Sequence, residues 1–131
     1  MKRKISINKN KAKALFKMSQ VTLERLSNSD KLKYPSNTLD DYYDILHQLM
    51  ESISSLSGVK FSGDFAHKNL INWTAKELKL SFIQRDLLQQ IRSYRNKISY
   101  EGFSIKAGYI EQNENEILKV ISIFKEKLKE L

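Results

Sequence analysis

Apolar side chains recur every three or four residues in five separate stretches of this chain, the spacing of one face of a helix and not of a strand. The first stretch predicts a helix over residues 8–26. Ala12, Leu15, Phe16, Leu23 and Leu26 fall on one side, with Met18 at the margin and Lys13, Lys17 and Glu24 opposite. Val21 points away from the apolar side, so this pattern is imperfect. Polar residues 27–30 and the Tyr34-Pro35 pair end it, because proline disfavours helix at the residue before it. A second helix is predicted over residues 39–56, with Thr38 as its cap, Asp40 and Asp41 at its positive end and Gly58 as its stop. Its buried stripe is Tyr42, Ile45, Leu46, Leu49, Ile53 and Leu56.

Residues 59–63 read as a loop able to bury Phe61, and residues 65–78 as a third helix carrying Leu70, Ile71 and Trp73. The fourth helix is the most clearly written. Ser81 is its N-cap, Ile83, Leu87, Ile91, Tyr94 and Ile98 follow at helical spacing, and Gly102 ends it. After a loop over residues 103–109, a fifth helix spans 110–128 with Ile117, Val120, Ile121, Phe124 and Leu128 on its inner side. A weak alternation over residues 103–105 is the only strand-like pattern. Short connections between long amphipathic helices make neighbours antiparallel. The expected fold class is therefore all-α, an antiparallel bundle of four to five helices. Residues 1–131 form a single helical domain in this reading, with residues 1–7 disordered ahead of the first helix.

Composition sharpens this picture in a few places. With 131 residues, 40% hydrophobic and 29% charged, the chain suits one modest core. It has no apolar run of the roughly 18–20 residues that spans a bilayer, so no membrane association is expected. The basic start, Met1-Lys2-Arg3-Lys4, is followed by no hydrophobic signal region, and there is no cysteine. Both features point to the cytoplasm. The net charge of +8 is uneven: residues 1–35 carry ten Lys and Arg against two acids, while residues 36–131 carry thirteen of each. Such a basic field attracts phosphate or an acidic partner. Without interleaved surface aromatics, a solvated lysine-rich helix face is the simpler reading.

No glycine-rich phosphate loop, dinucleotide fingerprint or metal-ligand spacing occurs, so neither cofactor nor metal is expected. His47 reads as a histidine packed within the second helix, and His67 as a polar residue where a loop meets a helix. Asp40, Asp41 and Asp44 are placed to meet a helix dipole rather than a cation. Residues 92–102 differ. On a helix, Arg92, Arg95 and Ser99 share one side beside the Ile91, Tyr94 and Ile98 stripe, and Asn96 stacks with Tyr100 one turn on. Arg92, Arg95, Lys97 and Ser99 are the candidate phosphate-binding residues, because a guanidinium is a planar bidentate fork for phosphate oxygens. A helix end stabilised by cations, with Tyr100 packed on the bundle, explains the same spacing.

The chain resembles HEPN-domain proteins, the helical family often encoded beside minimal nucleotidyltransferases. The likeness runs from about residue 10 to residue 128. It rests on Leu56-Ser57-Gly58-Val59-Lys60-Phe61, on the helix beginning near His67-Lys68, and above all on residues 88–102 with Arg95-Asn96. The family signature is an arginine, a polar residue and, a few residues on, a histidine. No histidine follows Arg95 here; Tyr100 stands in that place. The resemblance implies a homodimer whose motifs face each other and, in catalytic members, metal-independent RNA cleavage. In those members histidine acts as acid or base and arginine stabilises the charged transition state. Tyrosine ionises near pH ~10, so the exchange argues against efficient cleavage. Arg95, Asn96 and Tyr100 are the candidate catalytic residues on this likeness.

Three functions fit. The first is a dimeric HEPN-like component of a toxin-antitoxin type module, with a minimal nucleotidyltransferase as partner, acting through binding at residues 95–100. Tyr100 is then a candidate for modification by that partner, ahead of the stripe residue Tyr94. The second is a metal-independent endoribonuclease using Tyr100. The third is a non-enzymatic module for RNA or nucleotide, using Arg95 and the basic first helix.

Overall fold

Local chemistry at the element ends accounts for most of the boundaries in the computed structural model, which describes residues 1–131. Helix α1 (Lys9–Ser27) begins where the Asn8 side chain accepts a hydrogen bond from the Lys11 N–H at 2.9 Å. Helix α2 (Pro35–Ser57) starts four residues ahead of the expected position. Pro35 occupies its first turn, where the missing N–H costs nothing and the fixed φ already suits a helix. Thr38 is therefore no cap; it is buried, and its hydroxyl donates to the Lys31 carbonyl at 2.7 Å. Gly58 closes α2 in the left-handed conformation, φ +68°.

Residues 1–7, expected to be disordered, instead hold strand β1 (Lys2–Lys4), which runs antiparallel to β2 (Val59–Phe61) with Arg3 opposite Lys60. The pairing is anchored at both ends. The Ile5 N–H donates to the Gly58 carbonyl at 2.8 Å, and the Met1 amino group donates to the Ser62 carbonyl at 2.6 Å. Two three-residue strands far apart in sequence carry too short a pattern for periodicity to reveal.

Helix α3 (Ala66–Glu77) follows, and α4 (Phe82–Glu101) opens with a complete capping box. The Ser81 hydroxyl accepts from the Gln84 N–H, and the Gln84 side chain accepts from the Ser81 N–H. Gly102 ends α4 at φ +65°. Helix α5 (Ala107–Leu128) begins three residues earlier than the pattern suggested.

The chain is 73% helical, an all-α bundle with one small two-stranded sheet. Helix α2 is its axis: it touches the four other helices and buries twelve of its residues. Cross-links fix the directions. Ser52 meets the Ala12 carbonyl and Arg25 meets Asp41, so α1 and α2 are antiparallel. Gln84 reaches Glu116 and Gln90 reaches Tyr109, so α4 and α5 are too. Leu46, Leu49, Ile91, Ile117 and Phe124 form the centre of the core, each contributing about 1.5–3 kcal/mol by leaving water. Ile83 does not join them. It is 75% exposed, and the buried side of α4 begins instead at Leu87 and Leu88. No helix is long and apolar enough to cross a membrane.

Candidate functional site

Helix α4 distributes the candidate residues over three sides. Arg92, Asn96 and Tyr100, four residues apart, line a groove of about 300 Å³ whose other wall is residues 63–68, the turn into α3 and its first residues. Arg92 is braced there: its Nε donates to Gln89 Oε1 at 2.9 Å, and Gln89 Nε2 donates to the Lys68 carbonyl and to Asn72 Oδ1, both at 3.0 Å. That chain of bonds ties α3 to α4 beside the groove. Tyr100, expected from one reading to pack on the bundle, is 85% exposed at the rim, and Phe65 stands exposed in the opposite wall. No side chain caps the start of α3; the Ala66 N–H donates instead to the Gly63 carbonyl at 3.2 Å.

Arg95 turns the other way. Its guanidinium lies over the Tyr43 ring, 5.1 Å from the centroid, and 3.5 Å from Asp44 Oδ1 on α2. Half-buried between an aromatic face and a carboxylate, it fastens α4 to α2. Lys97 lies over Tyr94 and Phe103, at 5.9 Å from each ring centroid, and Ser99 is exposed. The groove therefore unites Arg92, Asn96 and Tyr100 but takes in neither Lys97 nor the Arg95 head group.

What residue spacing had missed is the histidine pair. His47 on α2 and His67 on α3 bring their rings to 4.2 Å. The Tyr43 hydroxyl is 2.8 Å from His67 Nδ1, and His47 Nε2 is 2.9 Å from Glu51 Oε1. His67 lines both the groove and a smaller cavity of about 100 Å³, where Lys11, His47, Glu51 and Lys60 also converge. The Nδ1 atom of His47 is buried with no protein partner. One signal was present: Tyr43, His47 and Glu51 repeat every four residues along the edge of the α2 stripe. Nothing local tied them to His67, which comes from a different helix.

The electrostatics follow from burial and from the neighbouring charges. Burial pushes the Tyr43 hydroxyl up to about 12, so it keeps its proton; it is hydrogen-bonded to His67 Nδ1. Burial, then His47, Arg95 and Arg92, lower His67 below its ordinary value against the opposing pull of Glu51. Its imidazole is neutral at neutral pH. The hydrogen bond from His47 holds Glu51 below the usual carboxylate range. Burial raises Asp40 despite Arg95 nearby, and its Oδ1 has no partner.

The three aspartates do not converge on a cation: Asp41 pairs with Arg25 at 2.6 Å, and Asp44 with Arg95. No group of three or more His, Cys, Asp or Glu side chains is arranged to hold a metal. What the groove offers is a guanidinium, an ammonium from Lys68, an amide, an imidazole and two exposed aromatic rings, opposed by the single carboxylate of Asp64. This set suits an anion carried on a flat, stackable group. No protein-family model, no curated protein and no solved structure matches this chain.

Proposed function

We propose that this chain is the HEPN-like component of a two-protein module of toxin-antitoxin type, a homodimer partnered by a minimal nucleotidyltransferase. It acts by binding the phosphate of RNA or a nucleotide in the groove of Arg92, Asn96 and Tyr100. The family part of this reading rests on the resemblance of residues 88–102. The binding part rests on one observation: three α4 residues of that segment meet His67 and Lys68 across a groove large enough for a nucleotide phosphate. Arg95 keeps a part in it as the residue that holds α4 at its angle to α2.

The test is RNA binding followed between low and physiological salt, with Arg92→Ala and Lys68→Ala beside the wild type. Phosphate recognition gives a steep fall in affinity with salt, and each variant flattens that slope by about one counterion. A flat response in the wild type rejects the binding reading. Sedimentation of the chain alone and its co-purification with a nucleotidyltransferase encoded next to it test the module; a monomer that ignores such a neighbour at micromolar concentration rejects that half.

A second reading has one observation in its favour. In a metal-independent ribonuclease with Tyr100 replacing the motif histidine, the neutral imidazole of His67 in the same groove supplies a group able to accept a proton. It predicts cleavage in the presence of chelator that is lost in Arg95→Ala and Tyr100→Phe.

A further inference from the structure

We infer that His67 is a proton-linked ligand of the groove, selecting a doubly charged terminal phosphate over the singly charged phosphodiester of an internal linkage. This deepens the binding reading above and rests on it. The geometry is specific about which atom is available. Nδ1 of His67 is held by the Tyr43 hydroxyl at 2.8 Å, so Nε2 is the nitrogen left to a ligand in the groove that His67 shares with Arg92 and Lys68. In the neutral tautomer with its hydrogen on Nε2, Nδ1 accepts from Tyr43 and Nε2 is a donor that already suits a phosphate oxygen.

When the ring takes up a proton, Nδ1 becomes a donor as well. The Tyr43 hydroxyl then turns from donor to acceptor without giving up its own proton. The only species consumed is one proton from solvent.

The surrounding charges decide when that happens. Around His67 are Tyr43, His47 and Glu51 from α2, Asp64 and Lys68 from the turn and start of α3, and Arg92 and Arg95 from α4, Arg95 being paired with Asp44. Lys11 and Lys60 lie in the cavity behind it. In the free protein, burial and the cations on α4 keep the ring neutral. A dianion between Arg92 and Lys68 offsets that positive field and attracts a third positive charge. A terminal phosphate brings three non-bridging oxygens and its second charge, enough to engage Arg92, Lys68 and His67 together. An internal phosphodiester brings two such oxygens and a single charge, and gains less from the proton. The His47 ring lies 4.2 Å away with its Nε2 on Glu51 and does not line the groove, so the linked proton is assigned to His67.

The experiment is calorimetric titration of the full chain between pH 5.5 and 7.5, in buffers of different ionisation enthalpy so that protons are counted. The probes are inorganic sulfate, whose charge is constant over that range, a nucleoside 5′-monophosphate and a dinucleoside phosphodiester. Sulfate binding is expected to tighten by about tenfold at the lower pH with uptake of at most one proton, since a single linked proton allows no more than about tenfold per pH unit. The monophosphate is expected to bind more tightly than the phosphodiester.

His67→Gln should bind more weakly and lose the pH dependence, and because His67 is no part of the hydrophobic core the exchange leaves that core intact. Binding that needs Arg92 yet shows no proton uptake, or the same pH profile in His67→Gln, overturns the inference and leaves the groove reading standing. Equal affinity for monophosphate and phosphodiester overturns the selectivity. Failure of all three probes to bind in an Arg92-dependent way overturns the inference together with the groove reading beneath it.

Discussion

Replacing Gly58 with alanine puts the join between α2 and the small sheet under a measurable load. Gly58 adopts φ +68° and ψ +36°, a conformation that costs an L-residue with a Cβ roughly 1–2 kcal/mol. A Cβ there would lie 2.8 Å from the Ile5 carbonyl oxygen and 3.5 Å from Ile7 Cγ1. The nearer atom is backbone, and Ile5 is itself bonded through its N–H to the Gly58 carbonyl at 2.8 Å. Relieving the contact moves the end of β1 and weakens that hydrogen bond, for about 1 kcal/mol more. The total is about 2–3 kcal/mol. For a chain of this length each kcal/mol lowers Tm by about 3–4 °C, so Gly58→Ala should melt about 6–12 °C below the wild type.

The protein contains its own control. Gly102 has nearly the same dihedral, φ +65°, but nothing lies within 4 Å of where its Cβ would be. Gly102→Ala incurs only the backbone term and should lose about 3–8 °C. Far-ultraviolet circular dichroism melts of both variants, scanned reversibly at one pH, read the difference. Equal losses in the two variants would refute the reasoning, because the close approach of β1 would then contribute nothing.

Other expectations follow from the same physical terms. Ser81→Ala removes a capping box and should destabilise the fold by about 1 kcal/mol in urea titrations, with no change of m-value. Phe124→Ala empties a fully buried position, for which a loss of about 3–5 kcal/mol in the same assay is expected; a loss under 1 kcal/mol would contradict its place in the core. Stability should also fall with acid through two groups. His67 and Glu51 both have folded values below their references of 6.5 and 4.5, so the unfolded chain binds their protons more readily. The His67 contribution is fully present above pH 6.5 and is lost as pH falls through its folded value, and that of Glu51 is present above pH 4.5 and lost below. The urea midpoint should therefore drop as pH falls below 6.5, and drop less in His67→Gln; identical pH profiles would exclude His67 as the cause.

Periodicity and end chemistry wrote the helices. Leu46, Leu49, Ile91, Ile117 and Phe124 announce their burial because a helix repeats every 3.6 residues and a core admits only one face of it. Ser81, Gly58 and Gly102 mark helix ends because the unpaired backbone groups there need a side-chain acceptor or a left-handed residue. The exceptions have local causes. Pro35 moved the start of α2 forward by a turn, and Ile83 sits on the apolar face of α4 but beyond the reach of its neighbours.

The candidate site was legible only in part, since Arg92, Asn96 and Tyr100 share a helix and four-residue spacing puts them side by side in any context. Their partners depend on how helices cross. Which arginine met a groove and which met a carboxylate was decided by the packing of α4 on α2 and α3. That packing gave Arg95 to Asp44 and Tyr43 and left Arg92 beside His67. The contact of His47 with His67 and the pairing of β1 with β2 likewise join residues twenty to nearly sixty positions apart. Such contacts depend on the whole chain's shape, because side chains on separate elements become neighbours only when a shared core sets the distance between their backbones. By itself the sequence determined the all-α class, most of the helix ends and the residues of the α4 edge; the tertiary structure alone decided which of those residues lie together.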